Sequence, residues 1–182
     1  SRVEMDDKRF FLENLLNEFE EGKFIVFVRT KVRAERVVAA MQRAGISTEA
    51  LHGGIEQSER FGILERFRKA QNRILVTTDV ACRGIDIPDM DYVVNYDLPE
   101  NPENYVHRCG RTGRGNNKGY ALSFCAESEV ELLQEIETYT GHKIDTYDLK
   151  PEDYHAIVSE SDTHDKNWKK LLADNENPDA WD

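Results

Sequence analysis

The chain has 182 residues, 39% hydrophobic and 32% charged, enough apolar material for the core of one domain and little more. No apolar run approaches the ~18 residues of a membrane span, and no basic-then-apolar amino terminus resembles a signal peptide, so a soluble, cytoplasmic protein with no membrane partner is expected. The net charge of −11 argues against a polyanion partner, yet residues 1–125 carry 19 Lys and Arg against 19 Asp and Glu, and the whole imbalance lies in residues 126–182, with 5 against 16.

In chain order, Asp6 to Glu21 reads as a helix with Phe11, Leu12, Leu15, Leu16 and Phe19 on one side and Gly22 as its stop. Phe24–Val28 is a continuous apolar run of the kind found in parallel strands, whose two faces are both covered. Val32–Arg43 is helical through Val37, Val38 and Met41 and closes at Gly45, Thr48–Leu51 is a short strand, and Gln57–Lys69 is a helix through Phe61, Leu64 and Phe67. Arg73–Thr78 and Tyr92–Tyr96 read as strands, Pro102–Cys109 as a short helix and Tyr120–Cys125 as a strand. Ser128 and Glu131 have capping-box spacing for a helix through Leu132, Leu133, Ile136 and Tyr139, ended by Gly141. Strands alternating with helices imply right-handed crossovers and a mainly parallel α/β sheet with helices on both faces. Residues 1–149 form this domain, and 150–182 an acidic extension in which Lys166–Ala173 places Trp168, Leu171 and Leu172 at helical spacing, with Trp181 near the end. That tail is expected to be partly helical or disordered, and is a candidate surface for a protein partner. Cys82, Cys109 and Cys125 form no C-x-x-C pair and are odd in number, which favours small reduced packing residues over a metal site or disulfides.

The richest chemistry lies in His107-Arg108-Cys109-Gly110-Arg111-Thr112-Gly113-Arg114-Gly115, which places guanidinium groups on a glycine-punctuated turn. Arginine forks pair bidentately with phosphate oxygens, and glycines let the backbone approach closely. Ligands of open α/β sheets bind beyond the carboxyl ends of the strands, and Thr30, Gly53, Thr78, Asp86 and Arg111 all follow strands or the turns after them. The residues also admit plain structural roles: Thr30 and Thr78 as helix-capping hydroxyls, Asp86 as a turn former before Pro88, and Gln57 with Arg60 as one exposed helical face.

The stretch HRxGRTGR resembles motif VI of the DEAD-box ATP-dependent RNA helicases. Leu75–Asp86 is similar to motif V of that family, Phe24–Thr30 to motif IV, and Leu51-His52-Gly53-Gly54 with Gln57-Ser58-Glu59-Arg60 to its His-Gly and QxxR elements. Four motifs in family order between Phe24 and Gly119 identify the chain as resembling one half of such a helicase, its carboxyl-terminal RecA-like domain. The resemblance implies that Thr30, Gly53, Gln57, Arg60 and Thr78 hold the RNA sugar-phosphate backbone, independent of sequence. It implies that Gly84 lies in the ATP-binding loop, that Asp86 accepts hydrogen bonds from the ATP ribose, and that Arg111 and Arg114 act as arginine fingers on the γ-phosphate. His107 matches a residue that couples to the partner domain, and Phe27 an aromatic that supports the motif VI arginines.

The chain has no G-x-x-x-x-G-K-[ST] and no Asp-Glu-x-Asp tetrad, the parts that hold triphosphate and metal in P-loop enzymes. Alone it is expected to be catalytically incomplete, with ATP and Mg2+ held mainly by an amino-terminal RecA-like domain. Gly54 departs from the aspartate common after His-Gly, Cys82 and Cys109 replace alanine and an aliphatic residue, and the loop Gly115–Gly119 is short. Two other classes stay open: a different nucleic-acid translocase of the same superfamily, and a non-catalytic RNA-binding or dimerisation module.

Overall fold

The computed structural model describes residues 3–85, 87, 90–112, 119–159, 168 and 172. Five strands, β1 (Phe24–Phe27), β2 (Glu49–Leu51), β3 (Ile74–Thr77), β4 (Tyr92–Asn95) and β5 (Tyr120–Ser123), form one sheet in the order β2-β3-β1-β4-β5. Every pairing within it is parallel. The apolar runs divide by alternation, as a period of two requires. Phe24, Val26, Ile74, Val76 and Val94 face one layer, built on α1 (Lys8–Glu18) and α2 (Lys31–Arg43). Ile25, Phe27, Leu75 and Val93 face the other, closed by Ile63 and Phe67 of α3 (Gln57–Arg68). A third cluster joins Leu98 and Cys125 to Tyr105 and Cys109 of α5 (Pro102–Cys109) and Ile136 of α6 (Val130–Thr140).

Three details depart from the sequence reading. Helix α1 ends at Glu18 rather than Glu21, because the Arg73 guanidinium takes over its last carbonyls: Nη2 donates to Leu16 O at 3.0 Å and Nη1 to Phe19 O at 2.8 Å. Phe19 then leaves the helix and packs on Tyr92, ring centres 4.9 Å apart. Gly22 is not a helix stop; a Cβ there would lie 2.4 Å from the Tyr92 ring, so close approach is what demands glycine. The expected Ser128/Glu131 capping box gives way to a 3-10 turn, Glu127–Glu129, in which the Glu129 carboxylate accepts from Ala126 N–H at 3.2 Å. Glu129 is drawn inward because Lys8 Nζ and Leu98 N–H, the latter at 2.8 Å, donate to the same carboxylate.

Residues 151–159 and Trp168 pack back on α1. A helix the sequence did not signal, α7 (Pro151–Ser159), lays Tyr154 on Phe11 at 5.1 Å and donates its hydroxyl to Asp7 at 2.7 Å. Trp168 is buried against Phe11 and Phe124 and donates Nε1–H to Asn14 at 2.9 Å. Trp168 and Leu172 are helical, in line with the spacing read from Lys166–Ala173, most of which, like Trp181, lies outside the described residues. The three cysteines are free and buried. Burial pushes the Cys109 thiol up to about 11, with Cys82 also raised, so both are protonated near neutrality. Among the described residues no helix is long and apolar enough to cross a membrane.

Candidate nucleic-acid and nucleotide site

The strands end level. Leu51 and Phe27 both register with Thr77, Phe27 also with Asn95, and Asn95 with Ser123. The residues that follow them therefore emerge along a single carboxyl edge, where most of the motif residues collect. Thr30 and Thr78, after the adjacent strands β1 and β3, cap the next helices: Thr30 Oγ1 accepts from Arg33 N–H at 3.2 Å, and Thr78 Oγ1 from Ala81 N–H at 3.4 Å, at the start of α4 (Asp79–Cys82). Capping uses only a lone pair. A hydroxyl that accepts in this way keeps its own proton for donation, so the capping role and a phosphate contact are compatible.

Gly53 is exposed in the turn after β2, and Gln57 is exposed in the first turn of α3. Arg60, one turn into α3, donates Nη2–H to Ala81 O at 3.2 Å, which fastens α3 to α4 beside Thr78. Helix amino termini carry unpaired N–H groups and positive potential, and α2 and α3 both begin on this edge. His52 orders the turn. Its Nδ1 accepts from Gly54 N–H at 3.0 Å, so the ring proton resides on Nε2 and faces the Glu35 carboxylate at 3.1 Å. A Cβ at position 54 would come within 3.1 Å of the His52 ring, so glycine in place of aspartate allows this close turn.

The arginine-bearing segment follows β4. His107 is exposed on α5, its Nε2 3.9 Å from Glu103. The next residue, Arg108, is buried completely and organises the centre of the site. Its Nε and Nη2 donate to the two oxygens of Asp79 at 2.6 Å each, Nη1 donates to Asp97 O at 2.7 Å and Asn95 Oδ1 at 3.3 Å, and the guanidinium lies 4.9 Å from the Phe27 ring centre. Phe27 thus supports a motif VI arginine, Arg108. Arg111 folds its guanidinium onto the motif V loop, donating Nη1–H to Ile85 O at 2.5 Å and Nη2–H to Cys82 O at 2.9 Å. Gly84 in that loop has φ +70°, a left-handed conformation that costs any other residue roughly 1 kcal/mol. Asp86 and Arg114 lie outside the described residues, as does most of the Gly115–Gly119 loop. Among the described residues no group of His, Cys, Asp and Glu side chains converges as a metal cage.

The sequence reading missed the ionic cluster behind this edge. Asp97, buried after β4, accepts from Arg33 Nε and Nη2 at 2.6 Å each and from Arg29 N–H at 3.0 Å, with Lys8 Nζ at 3.5 Å. The available signal was a carboxylate directly after an apolar strand run, a position that burial makes costly unless paired. Burial works against the charged form of Asp97, but the bonds from Arg33 and Arg29 and the charge of Lys8 outweigh it and hold the carboxyl below its ordinary 3.8. A depressed carboxyl contributes stability that is present above its unfolded pKa and lost as pH falls through the folded one. Asp97→Asn should therefore be less stable than wild type at pH 7, by about 3 kcal/mol, and the gap should close as pH drops below 3.8. Urea unfolding of both proteins across that range checks this; a gap that stays constant with pH would remove Asp97 as its source.

Residues 7–116 match the family model described as the helicase conserved C-terminal domain. The chain is 40% identical over 172 residues to the ATP-dependent rRNA helicase rrp-3 of Neurospora crassa, covering 93% of this chain and 33% of that protein. It is 42% identical over 159 residues to RRP3 of Kluyveromyces lactis, covering 87% and 32%. Among solved structures, the Escherichia coli DEAD-box protein SrmB, bound to regulator of ribonuclease activity A, superposes with TM-score 0.78 at 34% identity, covering 84% of this chain and 89% of that one. Saccharomyces cerevisiae Dbp5 bound to RNA and ADP BeF3 superposes with TM-score 0.76 at 33% identity, covering 94% and 44%. The chain belongs to the helicase conserved C-terminal domain family, as a carboxyl-terminal RecA-like domain of the DEAD-box type. It spans about a third of the length of the curated relatives it matches.

Proposed function

We propose that this chain is the second half of an ATP-dependent RNA helicase, an ATP hydrolase that couples nucleotide turnover to the opening or remodelling of RNA duplexes. The observation that carries the reading is the gathering of Thr30, Gly53, Gln57, Arg60 and Thr78 on one carboxyl edge. Hydroxyl, amide, guanidinium and helix N-terminal N–H donors there suit phosphate and sugar oxygens, with no base-edge selectivity. ATP with Mg2+ would be held mainly by an amino-terminal RecA-like domain. This chain adds Gly84 and Asp86 from the motif V loop, Arg111 and Arg114 as charge-neutralising fingers, and His107 facing the partner domain. The residues present fit that supporting role, since Arg111 already lies on the loop that Gly84 shapes. Closure of two domains around RNA and nucleotide would complete the site. A cytoplasmic location, and a protein partner reached through residues 150–182, belong to the same reading.

The test is titration of the chain with labelled single-stranded RNAs of different sequence. The motif-bearing part is neutral and half of the cleft is supplied elsewhere, so affinity on the order of micromolar or weaker is expected near physiological salt. Arg60→Ala should weaken all sequences by a similar factor and make the slope of log K against log salt shallower by about 0.7, the value for one phosphate contact on a single strand. Loss confined to one sequence would point to base readout and against a backbone grip.

A further inference from the structure

We infer that Asp97 is a positioning residue for the RNA-backbone grip, holding the Thr30 hydroxyl from both sides; the inference rests on the RNA reading above and adds a residue to it. Thr30 sits between two groups that Asp97 binds. One residue before it, Arg29 donates its backbone N–H to Asp97 Oδ2 at 3.0 Å. Three residues after it, Arg33 gives its backbone N–H to Thr30 Oγ1 at 3.2 Å, while its guanidinium forks onto Asp97 at 2.6 Å through both Nε and Nη2. A single carboxylate therefore fixes the Val28–Arg29 peptide, one residue before Thr30, and the residue whose N–H orients the Thr30 oxygen. With that lone pair occupied, the hydroxyl proton points away from the helix start, toward any acceptor on the open edge.

The carboxylate is itself firmly held. Lys8 Nζ lies 3.5 Å away and also binds Glu129, joining the clamp to α1, and Arg108 donates to the Asp97 carbonyl at 2.7 Å, joining it to α5. The Tyr96 ring backs both cations, 5.8 Å from Lys8 Nζ and 5.6 Å from the Arg33 guanidinium. Asp97 is buried, so it acts on RNA through the groups it holds around Thr30 rather than by direct contact. A side chain held by such a supporting layer keeps its orientation when an RNA oxygen arrives.

The experiment is a double-mutant cycle on this chain, read by binding of a fluorescein-labelled oligouridine at low salt and 10 °C, with circular dichroism showing each variant folded. Asp97→Asn keeps the shape but turns one acceptor oxygen into a donor that faces Arg33. Thr30→Val removes the hydroxyl itself. Each should weaken binding about five- to tenfold, and the double variant should bind about as weakly as either single one, since both remove the same contact. Arg33→Lys, which keeps the charge and a milder perturbation but loses the fork, should give a several-fold loss; it carries the test if Asp97→Asn does not fold. Losses that multiply in the double variant, or wild-type affinity in folded Asp97→Asn and Arg33→Lys alongside a weakened Thr30→Val, overturn the inference. Unchanged affinity in Thr30→Val would instead strike the RNA reading.

Discussion

Arg111→Ala, placed in a two-domain helicase that carries this chain, should slow ATP hydrolysis by about a hundredfold or more while changing ATP affinity only a few-fold. Most ground-state binding would come from the P-loop domain, whereas a guanidinium aimed at charge developing on the γ-phosphate acts chiefly in the transition state, where one such donor is worth about 3–4 kcal/mol. The structure adds a control. Arg111 also donates to the Ile85 and Cys82 carbonyls, so its removal loosens the motif V loop as well as deleting a charge. Arg111→Lys separates the two effects: it retains a cation but cannot span both carbonyls and a phosphate with one planar fork. A lysine variant as slow as the alanine one would show that fork geometry is the operative property. Single-turnover kinetics at saturating ATP and RNA measure the step directly, and turnover unchanged in a folded Arg111→Ala protein would refute the finger role.

The strands were legible because both faces of a parallel sheet are buried, which writes each strand as an uninterrupted apolar run, as at Phe24–Phe27 and Ile74–Thr77. The edge positions of Thr30, Gly53 and Thr78 were legible for a related reason: they follow those runs and so fall on the carboxyl edge whatever the details of the loops. Helix ends were not legible where a distant side chain sets them. The carbonyls of α1 are satisfied by Arg73, 57 residues beyond Leu16, and the cap before α6 belongs to Glu129, which Lys8 pulls in from 121 residues away. Neither pairing has a local period to betray it. The same holds for the tail, where Tyr154 bonds Asp7 at the cap of α1 and Trp168 bonds Asn14 within it. Within the site, the sequence reading passed over Arg108 and Asp97, whose charges are spent inside the protein.

Arg108 is where that omission has its largest measurable consequence. Its side chain is 1% exposed and its two-pronged bond to Asp79 joins motif VI to motif V, next to Thr78, while its third nitrogen satisfies Asp97 O and Asn95 Oδ1. Removing one partner of a buried ion pair costs more than the pair contributes, because the survivor is left charged and unpaired, and the usual penalty is about 3–5 kcal/mol. Arg108→Ala also leaves a buried carbonyl and an amide oxygen without a donor and takes the cation from the Phe27 face. For a chain of this size the variant should melt roughly 10 °C or more below wild type. Asp79 retains some solvent access, so Asp79→Asn, which keeps a hydrogen-bonding oxygen toward Arg108, should cost distinctly less. Combining Arg108→Met with Asp79→Leu should recover part of the Arg108→Ala loss by deleting both charges, but not all of it, since the Asp97 carbonyl remains orphaned. Urea denaturation of the three variants beside wild type gives these free energies. An Arg108→Ala loss below about 1 kcal/mol, the range of an exposed pair, would mean that the link between the two motifs is not held by this arginine.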